Sequence, residues 1–565
     1  MTLQSKSNWV LPSKETGEDV VKYLLGQRGI DEKEFLDFSL DNIPSSEKLH
    51  DSKKASERIV EAIKKGEKIV IHGDYDADGI CGISILWEFL FREVKKHLNR
   101  EVDVVPYIPA RIEQGYGLTE SSLDDVLSLG ASLVISVDCG VRDKELIDRY
   151  KQKKGLDFVI TDHHQLPEDL GDSLEYPLVH PMFPKKEYPY TEVCGTFVAF
   201  LLIQAIKKDL GIDNSIDRDT RGLDLVALAT VTDLMPLLNV NRVVVKEGLR
   251  QIQKGNRLGL SQLIKVSGIG QDKIDSYHLG YILGPRINAV GRIGSPLDGV
   301  KLLVSDKKEV CRRIAEVLNE TNIQRQYMTQ QGLEEANEIV EKSKEKLLFV
   351  VNDDWHEGIV GLIAGRLSER YHRPVLVGTR TSGGIKGSAR SISGFNITEA
   401  LSRCEQYLER YGGHELAAGF SVKKDNEAEF SECIHEIAEK ELTDKVLTRN
   451  LKVDLLLNSK RINRELVNEI ERLEPFGYGN GKPLIALGEL VIFKKQIMGK
   501  LGNHMKLQCK GDSIDLITLL LFNCDEDTQT LSEDEIIDVV GSVGINSWNG
   551  KDNIQFLVKE WRYSS

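Results

Sequence analysis

Four short segments of this chain place acids and histidines in a pattern suited to holding divalent cations. The first is His72-Gly-Asp74-Tyr-Asp76-Ala-Asp78-Gly79. The second is Asp138 in VDCG, the third is Asp162-His163-His164, and the fourth is Asp233 in ATVTDLMPL. Carboxylates gathered in one crevice repel strongly, and cations relieve that repulsion. A mixture of imidazole and carboxylate favours Mn²⁺, or Mg²⁺ with more water, over a thiolate metal site. The donors suffice for two ions. Two ions roughly 3.5–4 Å apart suit in-line hydrolysis of a phosphate ester. Taken singly, each segment has a plainer reading. An Asp-x-Asp after a strand commonly caps a helix or makes a turn, and a lone loop aspartate is usually structural. Their joint occurrence, in this order, lifts the metal reading above those.

Such residues need elements to bring them together. KIVIHG reads as a short apolar strand entering a loop, and Ile80 to Val94 has helical apolar spacing. LVISVDCG (Leu133 to Gly140) and DFVITDHH (Asp157 to His164) are two more buried strands ending in polar residues. This β-α-β alternation predicts an α/β fold, a parallel sheet with helices on both faces. The first three motifs fall just past the C-terminal ends of these strands, the edge at which open α/β sheets bind ligands. No proline occurs between Pro296 and Pro374, and Val310, Ile314, Val317 and Leu318 repeat at helical spacing. Lys307 to Lys346 therefore reads as one long helix, or two in series, linking two lobes. Leu347 opens a second α/β lobe that ends near Lys440. From Leu451 to Ser565, short strands with Gly and Asn turns, plus a helix near Arg464 to Leu473, predict a small β-barrel. The expected organisation is an N-terminal region at 1–50, a catalytic domain at 51–305, a connecting helix at 306–346, a second α/β domain at 347–445 and the barrel at 446–565.

Composition sets the outer bounds. A length of 565 residues suggests several domains. No apolar run approaches the roughly 18 residues needed to span a bilayer, and the N-terminus lacks the apolar core of a secretory signal. The eight cysteines are scattered without a CxxC pair. That argues against a zinc knuckle or a disulfide framework and predicts reduced, mostly buried thiols in a cytoplasmic protein. The net charge of −14 argues, as a bulk number, against nucleic acid as a partner. Cations bound at the acidic cluster would cancel part of it, and a net charge hides local patches.

HGDYDADG, VDCG, TDHH and ATVTDLMPL, in that order, resemble the motif set of the DHH phosphoesterases, a family named for the third motif. The resemblance implies that His72, Asp76 and Asp138 hold one ion, and that Asp78, Asp138, His163 and Asp233 hold the other, with Asp138 as the bridge. It makes His164 the group facing the phosphate, as electrophile or proton donor, and gives Asp74 and Asp162 supporting places. Asp138, Asp162 and His164 form the implied catalytic set. Gly412-Gly-His414-Glu-Leu-Ala-Ala-Gly419 resembles the glycine-rich signature of the DHH-associated domain. There, glycines let backbone approach a phosphate, and His414 donates a hydrogen bond. A tight turn capped by histidine is the plainer alternative.

Further segments are similar to the bacterial exonuclease members of this family. They are YIPARIEQGYGL (Tyr107 to Leu118), LGPRINAVGRIG (Leu283 to Gly294), WHEGIVGLIAGRL (Trp355 to Leu367), GSARSISGFNI (Gly387 to Ile397) and NSWNGKDNIQF (Asn546 to Phe556). The resemblance implies a 5′→3′ exonuclease on single-stranded DNA, used in recombination and repair. It also implies a cytoplasmic monomer working with a single-strand-binding protein and a helicase. The alternative is a DHH phosphoesterase acting on short oligonucleotides or cyclic dinucleotides, against which the extra barrel and the N-terminal region argue. A catalytically dead DNA-binding scaffold should have lost metal ligands, and every candidate ligand is present. Arg111, Arg286, Arg292 and Arg390 sit beside glycines or small residues in loop-like segments, where guanidinium forks suit phosphate oxygens. Arg111, Arg286, Ser388 and Arg390 are expected to close around a 5′-phosphate. For Arg292 a surface ion pair is the preferred reading. The barrel resembles an OB-fold. Phe493, Lys494, Lys495, Lys500, Lys506, Trp548 and Phe556 mix aromatic and basic types, as a single-strand stacking groove does, although two of the three aromatics would equally fill a barrel core.

Overall fold

The structure is a computed structural model that describes residues 3–4, 7–13, 17, 19–109, 117–171, 173–184, 188–213, 215–216, 220–293, 295–499, 502–512, 516–548 and 551–564. The chain forms two compact units. The first comprises Leu25–Asn322 and Arg472–Lys482, and the second Met1–Leu24, Ile323–Glu471 and Pro483–Ser565.

Two short strands open the chain, β1 (Leu3–Gln4) and β2 (Asn8–Val10). The first unit then builds a sheet from β3 (Ile69–Gly73), β4 (Val104–Tyr107), β5 (Leu133–Val137), β6 (Asp157–Thr161) and β7 (Leu178–Val179). Its order is β4-β3-β5-β6-β7, and every pairing is parallel. The strands are apolar on both faces because both faces are covered. Ile69 and Ile71 face one core with Ile83 and Phe197, while Val70 and Val134 face another with Leu123 and Phe158. The helix Ala77–Glu88 leaves β3 directly, and the helix Gly195–Leu210 is buried along most of its length. Lys308–Val340 is one uninterrupted helix that begins in the first unit and ends in the second.

The second unit continues with β8 (Leu348–Asn352), β9 (Val375–Thr381), β10 (Gly384–Arg390), β11 (Leu408–His414) and β12 (Ala417–Lys423), ordered β11-β12-β10-β9-β8. Only β8 and β9 pair in parallel. Then follow β13 (Asn450–Lys452), β14 (Leu455–Leu456), β15 (Ile485–Met498), β16 (His504–Lys510), β17 (Ile517–Leu521), β18 (Ile536–Trp548) and β19 (Lys551–Tyr563). The pairings β15–β16, β16–β17, β17–β19, β19–β18 and β18–β15 close a five-stranded barrel. Three of its strands are long rather than short: β15 has 14 residues, and β18 and β19 have 13 each. Register shifts in β15 and β18 supply the bends that such long strands need to close a barrel.

Two expectations change. The first 50 residues are not a region apart. Residues up to Leu24 belong to the second unit, where β1 pairs with β19 and β2 with β13, and Trp9 packs with Leu451 and Val540. The segment Arg472–Lys482 belongs to the first unit. Arg242 donates to the carbonyls of Arg472 and Glu474 at 3.2 and 3.0 Å, and Leu237 N–H donates to that of Tyr478 at 2.7 Å. Six cysteines are buried free thiols as expected, but Cys404 and Cys433 are joined by a disulfide. The helix Glu427–Glu441 carries Cys433 over Cys404, a packing that a separation of 29 residues does not reveal.

Candidate metal centre

Each motif lies where a strand end puts it. Asp74 and Asp76 follow β3, Asp138 follows β5, and Asp162 to His164 follow β6, while Asp233 ends the helix Leu223–Thr232. Their donor atoms meet in three groups, each within 4.8 Å: Asp74 with Asp76 and Asp138, Asp78 with His163 and Asp233, and Asp138 with His163 and His164. Asp138 is in two of the groups, the property expected of a bridge. His163 Nε2 lies 3.1 Å from Asp138 Oδ1, 3.5 Å from Asp233 Oδ2 and 3.8 Å from Asp78 Oδ2. Both His163 Nε2 and Asp233 Oδ2 are buried without a hydrogen bond. Buried polar atoms normally find partners, and an ion is one way to supply them.

The backbone is shaped for this convergence. Asp76 caps the helix Ala77–Glu88, one carboxylate oxygen accepting from Asp78 and Gly79 N–H at 2.9 and 3.1 Å. The capping role expected of an Asp-x-Asp is therefore real and occupies one of two oxygens. Asp78 accepts from the N–H groups of Gly195 and Thr196, at 2.6 and 2.7 Å, where the helix Gly195–Leu210 presents its positive end. Asp138 adopts a left-handed backbone, φ 62°. Gly195 leaves it room, because a Cβ there would stand 2.8 Å from Asp138 Cβ and 2.9 Å from its Oδ1.

Electrostatics sorts the acids. Burial, and then the charges of Asp78, Asp76 and Asp233, push the Asp138 carboxyl well above the usual range. Burial and the charge of Asp78 raise Asp76, and burial with the charges of Asp78 and Asp76 raises Asp233 to about 9. A cation beside these groups would relieve the repulsion that raises them. Asp162 goes the other way. Burial opposes its charge, but the hydrogen bond and charge of His164 hold it below the usual range. Asp162 Oδ1 lies 2.8 Å from His164 Nδ1 and also accepts from His163 N–H, also at 2.8 Å, while Oδ2 accepts from Val141 N–H at 2.9 Å. Burial works against the charge on His164 as well, yet its bond to Asp162 prevails and takes it up to about 9. The side chain of His164 is 40% exposed where that of Asp162 is 2% exposed, so a substrate can reach it.

His72 is the main departure from the expected ligand set. Among the described residues, Asp74 and not His72 joins Asp76 and Asp138. Side chains alternate along a strand, so His72 shares a face with Val70. Its Nε2 lies 3.3 Å from Ser122 Oγ and its ring 5.3 Å from that of Tyr107. The phosphate-binding candidates are also not in loops. Arg286 is in the helix Gly284–Ile293 of the first unit, where it donates to Asn319 Oδ1 at 3.0 Å and to the Ile282 carbonyl at 2.7 Å. Ser388 and Arg390 are in β10 of the second unit, with Arg390 Nη1 donating to Ser388 Oγ at 2.9 Å and to the Ala389 carbonyl at 2.8 Å. The glycine beside Ser388 serves close packing: a Cβ at Gly387 would stand 2.2 Å from Phe420 Cζ. His414 ends the exposed strand β11, opposite Ala417, at the two-residue turn Glu415–Leu416 that leads into β12. Arg111 and Lys500 lie outside the described residues, as do the side chains of Arg292 and Trp548. In the barrel, Phe493 is 62% exposed, pushed out at the register shift between Ile492 and Lys494. Lys494 is exposed and Lys506 half-buried. Lys495 spends its ammonium on the carbonyls of Gln529 and Leu531, and Phe556 is core.

Two site residues escape sequence reasoning. Asn288 Oδ1 accepts from Ala77 N–H at 2.7 Å and so fixes the loop between Asp76 and Asp78. It stands in LGPRINAVGRIG, where the arginines drew attention. His180 Nε2 lies 2.8 Å from the His164 carbonyl, while its Nδ1 accepts from Met182 N–H. Nδ1 as acceptor makes Nε2 the protonated nitrogen, so His180 holds the backbone of His164. No motif announces it.

The parallel sheet with this cluster at its C-terminal edge defines a DHH-type phosphoesterase. Residues 68–230 match the DHH family, N-terminal domain; 344–440 match the DHHA1 domain; and 453–560 match the RecJ OB domain. The chain belongs to the RecJ family. It is 34% identical over 549 residues to the single-stranded-DNA-specific exonuclease RecJ of Bacillus subtilis, covering 96% of this chain and 67% of that protein. It is 30% identical over 552 residues to the RecJ of Haemophilus influenzae, covering 94% of each. A crystal structure of RecJ in complex with Mn²⁺ from Thermus thermophilus matches with a TM-score of 0.81 at 26% identity, over 100% of this chain and 80% of that one. A crystal structure of exonuclease RecJ bound to manganese matches with a TM-score of 0.60 at 30% identity, over 70% of this chain and 96% of that one.

Proposed function

We propose that this protein is a single-stranded-DNA-specific exonuclease that removes nucleotides from the 5′ end, with two Mn²⁺ or Mg²⁺ ions, in recombination and repair. The observation that carries the reading is the convergence of Asp74, Asp76, Asp78, Asp138, His163 and Asp233, with His163 Nε2 and Asp233 Oδ2 buried and without hydrogen bonds. When bound there, the ions supply Lewis acidity toward a phosphoryl oxygen and make water acidic enough to attack at neutral pH. The rest is done by the chain. Asp138 is the shared donor. Asp78 is oriented by two backbone N–H groups. Asp162 keeps His164 charged and fixed, beside the place where negative charge develops on the phosphoryl group.

The 5′ polarity rests on Ser388 and Arg390, with Arg111, Arg286 and His414 as further phosphate contacts. A guanidinium has five N–H donors. Arg390 turns one of its terminal nitrogens to Ser388 and Ala389, which pre-orients the fork for an anion. Phe493 and Lys494 give the barrel an exposed aromatic and basic pair suited to an unpaired strand. No helix among the described residues is long and apolar enough to cross a membrane. A cytoplasmic monomer with a single-strand-binding protein and a helicase as partners completes the proposal. The test is cleavage of 5′-labelled and 3′-labelled single strands with and without Mn²⁺. Release of a labelled mononucleotide first from the 5′-labelled strand, only with metal, is expected. First release from the 3′ label, or cleavage in excess chelator, would refute it.

A further inference from the structure

Among its described residues, the first unit shows eight large apolar side chains to solvent, and the four most exposed of these are Leu234, Tyr277, Tyr281 and Tyr478, at 66%, 59%, 71% and 64%. They lie on segments that converge on the loop carrying Asp233. Leu234 is the next residue, held in a left-handed backbone, φ 55°, that an L-residue rarely adopts. Tyr478 is tied to the same loop by its carbonyl, which accepts from Leu237 N–H at 2.7 Å. Ser276 Oγ donates to the Phe476 carbonyl at 2.6 Å, which joins Tyr277's segment to Tyr478's.

Tyr277 and Tyr281 stack on each other, ring centroids 4.9 Å apart at 25°. Tyr281 lies in a π-helical turn, Leu279–Leu283, that leads into the helix Gly284–Ile293. That helix runs along the metal loops at van der Waals distance. A Cβ at Gly284 would stand 2.2 Å from Thr232 Cγ2, next to Asp233, and one at Gly291 would stand 2.6 Å from the Tyr75 carbonyl. Between them Asn288 bonds Ala77. One flank of this segment thus frames the metal donors, and its leading turn holds up two stacked, exposed rings.

From this we infer that Tyr277 and Tyr281, with Leu234 and Tyr478 beside them, form a platform on which unpaired bases of the substrate strand stack next to the metal centre. The inference rests on the single-strand nuclease reading above and deepens it. An aromatic face accepts any base, so the grip is indifferent to sequence. It is not indifferent to strandedness. A base inside a duplex has both faces covered by its neighbours, and only an unpaired strand can lend one to a tyrosine. The platform therefore supplies a reason, on the protein's own surface, for preferring single strands.

The test is an abasic scan on the full-length protein with Mn²⁺. Single strands carrying one abasic position, moved stepwise from the 5′ end, are compared by KM for the wild type and for the double variant Tyr277→Ala, Tyr281→Ala. Both rings are exposed, so their removal leaves the core untouched. In the wild type, particular abasic positions should raise KM by about tenfold, the scale of one lost base–aromatic stack. The double variant should show a similarly raised KM on the intact strand and no further penalty at those positions. Tyr281→Phe, which keeps the ring, should behave as wild type. A wild type that cleaves the intact strand but shows the same abasic penalties as the double variant would overturn the platform alone. A wild type that fails to cleave single strands at all would overturn the nuclease reading and the platform with it.

Discussion

Replacing Gly195 with alanine should cripple the metal centre without touching a ligand. Gly195 opens the helix Gly195–Leu210, and its N–H donates to Asp78 at 2.6 Å. An added Cβ would meet Asp138 Cβ at 2.8 Å, Oδ1 at 2.9 Å and Cα at 3.0 Å, closer than carbon packing permits. Asp138 cannot swing aside cheaply, because it sits fully buried in a left-handed backbone between the cluster and this helix. Either Asp138 moves by several tenths of an ångström or the helix start does, taking the Asp78 contacts with it. Overpacking of this kind costs about 1–3 kcal/mol of stability, and a displacement near 1 Å at reacting groups costs on the order of 10²-fold in rate. The expected result is a folded protein with a lowered melting temperature, a raised Mn²⁺ requirement and a rate on single strands down by about 30- to 100-fold. Gly365→Ala is the control: it lies within the helix Glu357–Tyr371 and a Cβ there meets nothing within 4 Å. It should be neutral or stabilising by up to ~1 kcal/mol. A Gly195→Ala protein with more than a third of the wild-type rate and an unchanged Mn²⁺ titration would refute the reasoning.

Asp138→Ala should abolish cleavage while circular dichroism and melting show a folded chain, and residual activity above about a tenth would contradict its place as the shared donor. A 5′-phosphorylated strand should be cut about tenfold faster than a 5′-hydroxyl strand, given roughly 1.5–3 kcal/mol for one hydrogen bond to a charged group. Arg390→Ala should erase most of that difference in a competition assay, and equal wild-type rates on the two strands would dispose of the phosphate pocket. His180 gives a pH dependence. Burial pushes its pKa down to about 4, so below pH 6.5 the unfolded chain binds a proton that the native chain refuses. Its contribution to stability is intact above about 6.5 and falls by roughly 1.4 kcal/mol per pH unit from there toward 4. The melting-temperature advantage of the wild type over His180→Asn, measured without metal at pH 7.5, 6 and 5, should shrink in that order.

The strands that carry the site were legible because β3, β5 and β6 are short runs of branched apolar residues, each broken by a polar cluster at one end. Burial on both faces of a parallel sheet demands that pattern. The face on which each side chain emerges was less legible. His72 belongs to the motif by spacing, yet strand alternation turns it toward Ser122, and among the described residues it is Asp74 whose oxygen lies with those of Asp76 and Asp138. Glycines beside Arg286 and Arg390 suggested loops. In the structure they let a helix approach Thr232 and Tyr75, or make room on β10 for the Phe420 ring, so they mark close packing within regular elements. The N-terminal strands were opaque for another reason. Their partners, β13 and β19, lie more than 400 residues away, and nothing local records such a pairing.

The acids of the cluster show how the protein separates ligands from positioning groups that look identical in sequence. Asp162 in TDHH and Asp138 in VDCG each follow a buried strand, and both are almost fully buried. Asp162 is compensated from within: His164 and three backbone N–H groups meet its oxygens, and its pKa falls. Asp138 is raised by burial first and then by the charges of Asp78, Asp76, Asp233 and Asp74. A group whose charge the protein has already neutralised gains little from an ion, whereas one held against like charges gains much. The opposed shifts, with the grouping of their donor atoms, support the proposal that Asp138, Asp76 and Asp233 face the metals and that Asp162 serves His164. The same logic answers the objection raised by the net charge of −14: cations held at the proposed centre would cancel part of it, and a phosphate approaching them would meet local positive charge before the bulk charge of the chain.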